Sequence, residues 1–540
     1  MQNYWCQYIS TTSWQKLQRV EIRRWARSVL AILGLGVVGA CGGGGSSGSQ
    51  CTGCNDKTNT PVSATVAGFV LDKAGTPVAG VTVSVFHHNT NTTVTSTTDS
   101  NGAYAVAGLD TGANADYEIY VAKSGLGFSA AVGDAAGAVT KFDFNGLYRT
   151  VIRFLSMPAR DVRSAHFTAY KPGDKVASLP RTGQTVSYAS GDDAAVAKGV
   201  SWPGARFTDD LNGTVSDRLT GLVWLKNAGC FAPSDWAAAL AAANRLASGA
   251  CGLSDASTAG QWRMPNANEL ESLVDVSQVA PAVAAGHPFT GINMVSAYWT
   301  STTYMALTAN AMAIRFSDGR WINGAASALG GGLLAAGEGS FNNTKATSAN
   351  ALWAVKSGGA GAVQLLATGV YDGQGGAASF GTRDDANLQT GAVLTSARFI
   401  DKGDGTLADT VTGLTWLKKA DCINQAWAAA LSTVNGLASG QCGLNDGSSA
   451  GQWRMPNRSE MLSLSDRAPT FPQASYLNGQ YQANTSVNGP VVFTNFVVSD
   501  YYWTSTTDAA DTTQAWTLYS CDFGVYNMAK TATRYALAVR

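Results

Sequence analysis

Charge is scarce in this chain. Only 14% of its 540 residues are Asp, Glu, Lys or Arg, well below the roughly 25% usual in soluble proteins. The two signs balance at 37 each, but unevenly along the chain. Lys16, Arg19, Arg23, Arg24 and Arg27 stand against Glu21 alone in residues 1–40, so the remaining 500 residues carry about −4. A mildly acidic chain has no general attraction for polyanions, which excludes nucleic-acid binding. Histidine is scarcer still, with only His87, His88, His166 and His287. That excludes a Ser-His-Asp or Cys-His centre repeated along the chain, an HExxH motif and a recurrent His/Cys metal cluster. His87 and His88 are adjacent, so on a strand they face opposite sides and read as surface residues. There is no Gly-rich phosphate loop. Neither a cofactor nor a metal is expected. No apolar run reaches the ~20 residues of a spanning helix, which excludes a multi-span membrane protein. What the chain has instead is 60 Gly and 15 Trp, material for turns, strands and several cores. Its length suggests three or four domains.

The N-terminus reads as an export signal. Arg23, Arg24 and Arg27 precede an apolar run from Val29 to Ala40, the length of a signal-peptide core. The run ends Val38-Gly39-Ala40-Cys41, which resembles the bacterial lipobox. That resemblance implies cleavage before Cys41 and lipid, including palmitate, on it. Residues 41–61 open with Gly42-Gly43-Gly44-Gly45 and read as a flexible tether. Gly42 is not the Asp that retains lipoproteins at the inner membrane, so in a Gram-negative cell the outer membrane is expected. Cys51 and Cys54 form a CxxC in the tether, read as a local bridge or capture point.

Residues 62–158 carry short alternating strands with Gly-rich turns, the pattern of a β-sandwich. Gly68, Val70 and Asp72, then Gly75, Pro77, Val78, Gly80, Val81 and Val83, and the turn Thr98-Asp99 to Gly102 and Tyr104 carry a resemblance to the carboxypeptidase regulatory-like domain. It implies a spacer or binding accessory without catalytic residues. Residues 159–178 are expected to be a linker.

The rest is an internal repeat, covering 179–357 and 365–540 with a linker at 358–364. Residues 244–266 and 435–457 match at 18 of 23 positions. Each copy opens with a hairpin around Asn212-Gly213 or Asp404-Gly405. Asp209, Asp210 and Asp217, like Asp401, Asp404 and Asp409, read as turn residues, because Gly403 and Gly405 stand where an EF-hand needs ligands. A helix follows, with an apolar stripe of Trp236, Leu240, Ala243 and Ala247, or Trp427, Leu431, Val434 and Ala438. Cys230 with Cys251, and Cys422 with Cys442, bracket these helices and are expected to be bridged. Then come Trp262, Arg263, Asn266 and Glu269, repeated as Trp453, Arg454, Asn457 and Glu460. Asn three residues before Glu reads as a capping box, with Trp in the core and Arg paired to an acid. Last is Tyr298-Trp299-Thr300-Ser301-Thr302, repeated as Tyr502-Trp503-Thr504-Ser505-Thr506.

The order of these signals resembles the Lcl C-terminal domain family. The resemblance implies two tandem α+β domains of C-type-lectin-like fold behind the all-β sandwich. It also implies non-catalytic carbohydrate binding and adhesion. The copies lack the Cys that members often carry in the last strand, which leaves Cys521 without an obvious partner. Trp321 in one copy, and Tyr476 and Tyr481 in the other, are the candidates for stacking on sugar rings. Tandem sites on the short linker would gain avidity. The expected function is an envelope-anchored lipoprotein binding an extracellular glycan or surface protein, for adhesion or self-association. A structural, protein-binding part in an envelope assembly is the second reading. A carboxylate-based glycan hydrolase is the third, because such carboxylate pairs leave no local motif.

Overall fold

The computed structural model describes residues 63–131, 139–144, 147–157, 162–171, 174–305, 307–322, 343–370, 382–392, 398–465, 467, 493–497, 500–520 and 523–540. The signal segment with Cys41, the Cys51/Cys54 pair, Tyr476, Tyr481 and Cys521 lie outside these residues. No described helix is long and apolar enough to cross a membrane.

Among the described residues, ten strands build the first unit. They begin with β1 (Ala64–Asp72), β2 (Thr82–His87), β3 (Thr92–Thr97), β4 (Ala103–Leu109) and β5 (Gly112–Ala122). Then follow β6 (Gly127–Ala131), β7 (Val139–Phe144), β8 (Leu147–Met157), β9 (Val162–Ser164) and β10 (His166–Tyr170). One sheet runs β4-β1-β10-β6 with β9 also on β1, and the other runs β3-β2-β5-β8-β7. Val66, Val70, Val83, Val85, Ile119 and Phe167 form part of one buried core. Part of the expected linker at 159–178 is sandwich instead: β9 and β10 both run parallel to β1. The crossing is close at Gly68, where a Cβ would fall 1.6 Å from the Ala165 carbonyl oxygen. Only glycine fits there. His87 and His88 are also more enclosed than expected. His87 is buried beside Tyr117, and His88 pairs with Glu118 at 2.9 Å.

The first repeat contains α1 (Asp193–Val196), β11 (Phe207–Asp209), β12 (Thr214–Asp217), β13 (Leu222–Leu225), α2 (Trp236–Arg245) and α3 (Ala267–Glu271). β14 (Tyr298–Thr303), β15 (Ala311–Arg315), β16 (Arg320–Ile322) and β17 (Val355–Ser357) complete it. The second contains α4 (Asp385–Leu388), β18 (Phe399–Asp401), β19 (Thr406–Asp409), β20 (Thr415–Leu417), β21 (Ile423–Gln425), α5 (Trp427–Asn435) and α6 (Arg458–Ser463). It ends with β22 (Tyr501–Thr507), β23 (Gln514–Tyr519), β24 (Val525–Ala529) and β25 (Arg534–Ala536). In each copy a small antiparallel sheet holds the hairpin, and a second sheet carries the Tyr-Trp-Thr-Ser-Thr strand. Trp236, Leu240 and Ala243 are buried on α2, as are Trp427, Leu431 and Val434 on α5. Both helices end before Ala247 and Ala438, which the stripes had included.

Of the hairpin acids only Asp210 and Asp404 lie between strands, whereas Asp209, Asp217, Asp401 and Asp409 end strands, which corrects the expectation of turn residues. Asp217 takes a forked pair of bonds from Arg206, Asp210 accepts from Thr214 and Ser216, and Asp209 holds Lys226. Cys230 is bridged to Cys251 and Cys422 to Cys442, over separations of 21 and 20 residues. Replacing Cys422 and Cys442 together by Ser is expected to cost about 3 kcal/mol. Urea unfolding would read it as a lower midpoint; an unchanged midpoint would show that the bridge adds nothing.

Candidate functional site

The residues shared by the two copies converge on one arrangement. The Trp262 indole is buried and donates to the Ser257 hydroxyl at 2.9 Å. Arg263 forks onto Glu269 at 2.5 and 2.7 Å. Glu269 also accepts the Asn266 backbone N–H, while the Asn266 side chain accepts the Glu269 N–H, each at 2.9 Å. This is the expected capping box at the start of α3. The second copy repeats it through Trp453, Arg454, Asn457 and Glu460. Trp299 and Trp503 are both buried and donate to the carbonyls of Ser234 and Gln425.

Each capping Asn still has an amide to donate, and it reaches the other copy. The Asn266 amide bonds the Thr390 carbonyl and hydroxyl at 3.1 and 3.0 Å, and Asn457 bonds the Lys198 carbonyl at 3.3 Å. Thr390 and Lys198 lie on the segments that lead into the opposite repeat. The two leading segments therefore cross. The first arm, Thr182 to Gly199, docks its helix α1 on repeat 2. The second arm, described at 368–370 and 382–391, docks α4 on repeat 1.

An Asp-Asp pair anchors each arm. Asp192 and Asp384 cap α1 and α4, accepting the N–H groups of Ala195 and Asn387. The second acid is fully enclosed. Asp193 accepts from Thr182 of its own arm and Thr506 of repeat 2, at 2.6 and 2.7 Å. Asp385 accepts from Thr368 of its own arm and Thr302 of repeat 1, both at 2.6 Å. Burial pushes these carboxyls up to about 6 and about 7, against the lowering pull of the threonines. Each groove also holds a lysine stacked on the Trp that opens the long helix. Lys345 lies over Trp236 and Lys530 over Trp427. Desolvation brings Lys345 down to about 8, with Asp384 opposing the shift.

Between the arms the repeats share one core, in which Trp224, Trp262 and Trp353 join Trp416, Leu518 and Val539. A polar ladder crosses the seam on one side. Arg458 of repeat 2 forks onto Glu271 of repeat 1 at 3.1 and 3.1 Å and donates to the Gly319 carbonyl at 2.7 Å. Burial pushes the Glu271 carboxyl up, and Arg458 opposes the shift. Trp321 donates to Glu271 at 2.7 Å, and the Arg467 guanidinium lies 4.5 Å from the Trp321 ring centre. Arg458 in turn covers Trp516. A cavity of about 90 Å³ sits beside the ladder, lined by Leu179, Thr182, Asn268, Glu271, Arg458 and Leu462 among others. It is well below the about 300–1,000 Å³ of pockets that enclose a small ligand.

One expectation is corrected here. Trp321 is no sugar platform: it is only 6% exposed, with its indole N–H and ring face both taken by the seam. The linker at 358–364 packs against repeat 1. Ala362 and Val363 donate to the Arg218 and Leu219 carbonyls, and a Cβ on Gly361 would strike Thr220. The crossed arms were missed altogether. The available signal was the Asp-Asp pair at 192–193 and 384–385, at the same distance before Arg206 and Arg398. Among the described residues no group of three or more His, Cys, Asp or Glu is placed to hold a metal.

Residues 213–329 and 405–540 match the Lcl C-terminal domain family, and residues 65–145 match the carboxypeptidase regulatory-like domain. A comparison with curated proteins found no match. Among solved structures, a 3-chlorocatechol 1,2-dioxygenase from Rhodococcus opacus 1CP is 13% identical, with a TM-score of 0.14. That match covers 20% of this chain and 60% of the dioxygenase. A 9R-lipoxygenase from Cyanothece is 15% identical with a TM-score of 0.11, over 22% of this chain and 18% of the lipoxygenase. Neither likeness carries an argument about fold or activity.

Proposed function

We propose, for a chain with two Lcl C-terminal domains behind a carboxypeptidase regulatory-like domain, a non-catalytic role in recognising an extracellular glycan or surface protein. In this reading the chain is exported, lipid-anchored through Cys41 and held off the membrane by the Gly42–Ser49 tether. In a Gram-negative cell it would sit in the outer membrane. The sandwich is a spacer, and each repeat has a C-type-lectin-like fold.

One observation carries the reading. The described motif residues common to both copies are consumed internally, in caps, indole bonds and arm docking. Recognition is then left to what differs between the copies. From the capping Glu to the Tyr of the next strand, copy one has 29 positions (Glu269 to Tyr298) and copy two has 42 (Glu460 to Tyr502). Loops of unequal length on a rigid scaffold are where binding function is usually placed. The pair would offer two unlike ligand surfaces at a fixed spacing, so any avidity comes from rigid geometry rather than a flexible linker.

The protein-binding reading has its own support, because the arm grooves already hold polypeptide and Trp321 is spent on the seam. A glycan array probed with the oxidised chain lacking its lipid separates the two. Selective binding competed by free sugar, altered by exchanging the 465–500 loop, is the expected result. A blank array from folded protein would overturn the glycan reading and leave the envelope-assembly one.

A further inference from the structure

Strand pairing fixes which residues of the two repeats correspond. Ile314 pairs with Trp321 as Leu518 pairs with Val525, and Thr303 pairs with Ala311 as Thr507 pairs with Ala515. Trp321 therefore corresponds to Val525, and Met312 to Trp516. The capping boxes align Ala267 with Arg458, Glu271 with Leu462 and Val276 with Arg467. The ladder on one side of the seam is Arg458, Glu271, Trp321, Arg467 and Trp516. Its counterpart positions are Ala267, Leu462, Val525, Val276 and Met312, none of them charged. The arms are alike in both copies, but the seam is not.

We propose that this seam is a heterotypic recognition surface: repeat 1 accepts repeat 2, from the same chain or from a second copy of it, and neither repeat accepts its own kind. In a two-fold pair of like repeats, each position meets its counterpart's partner. Two copies of repeat 1 would set each Glu271 against Ala267, and two copies of repeat 2 would set each Arg458 against Leu462. Both arrangements bury charge without a partner, a penalty large enough to select against them. The arm grooves supply docking, with the same Asp-Asp and Thr chemistry on both sides. The ladder supplies the choice. Between chains, repeat 1 of one copy would join repeat 2 of the next, a head-to-tail contact. The inference stands apart from the ligand reading, since it concerns only repeat pairing.

The test keeps the full chain until it has folded. A protease site inserted within residues 371–381 is cut after folding with both disulfides intact, leaving each half dependent on an arm from the other. Two such preparations, one isotope-labelled, are mixed and followed by native mass spectrometry. Expected are stable one-to-one pairs of unlike halves, labelled and unlabelled halves exchanging only in that combination. Arg458→Ala in the cut chain should weaken the pair by about 100-fold or more. The set Ala267→Arg, Glu271→Leu, Arg458→Ala and Leu462→Glu moves the ion pair to the other side of the seam and should recover affinity to within about tenfold. Pairs of like halves, or halves that part at micromolar concentration after cutting, would overturn the proposal. So would an Arg458→Ala pair as tight as the parent, or no recovery in the relocated set.

Discussion

Replacing Glu269 by Ala is expected to lower the unfolding free energy by about 3–5 kcal/mol, the cost of leaving a buried guanidinium unpaired. Arg263 and Glu269 are 5% and 4% exposed, and Arg263 would lose both of its bonds to the carboxylate. The same substitution removes the acceptor for the Asn266 N–H and for the Thr390 hydroxyl. Damage should therefore spread to the arm that repeat 1 receives. Urea unfolding measures the first effect, and limited proteolysis between Thr382 and Ala392 measures the second. Glu460→Ala should cost a similar amount without exposing that arm, because the equivalent acid in copy two faces the first arm. A loss below about 1 kcal/mol would show that the box is ornamental to stability.

The second large effect is a dependence on pH. Asp385 and Asp193 have folded values of about 7 and about 6 against the 3.8 of a free side chain. These two carboxyls thus bind more protons in the folded state than in the unfolded chain above pH ~4. Stability should fall as pH rises from there to about 7 and then level off. For Asp385 alone the span corresponds to something on the order of 4 kcal/mol. Glu269 and Asp384 face the same carboxyl and help raise it. Lys345 titrates in a separate window, since its folded value of about 8 lies below its free one. Asp385→Asn keeps an oxygen for Thr302 and Thr368 but no longer titrates. Its urea midpoint should change less between pH 5 and pH 8 than that of the parent. An equal change in both would mean that the arm acids do not govern the dependence.

What could be read from the residues was local. The capping boxes, the helices after the hairpins and the two bridges rest on spacings of at most 21 positions, and side chains at such spacings either fit or do not. The arms had no such mark. Helix α1 is four residues long in a stretch rich in Gly, Ser and Ala, and Asp193 meets Thr506 across 313 positions. No periodicity reports a partner so distant. Trp321 misled for a related reason: an indole near a long loop looks available until the other repeat is laid against it. β9 and β10 were passed over because three- and five-residue strands pairing in parallel with β1 need partners far back in the chain.

The crossed arms also bear on the order in which the molecule can be finished. Repeat 1 leaves synthesis with its groove unfilled, because residues 382–392 come after it. The arm that fills the groove of repeat 2 is made before either repeat and must wait for the last strands. Neither copy can close by itself as it emerges, since each lacks a piece the other's sequence brings. Contacts of such span form late and slowly. The two repeats, though written in tandem, mature together as a single event.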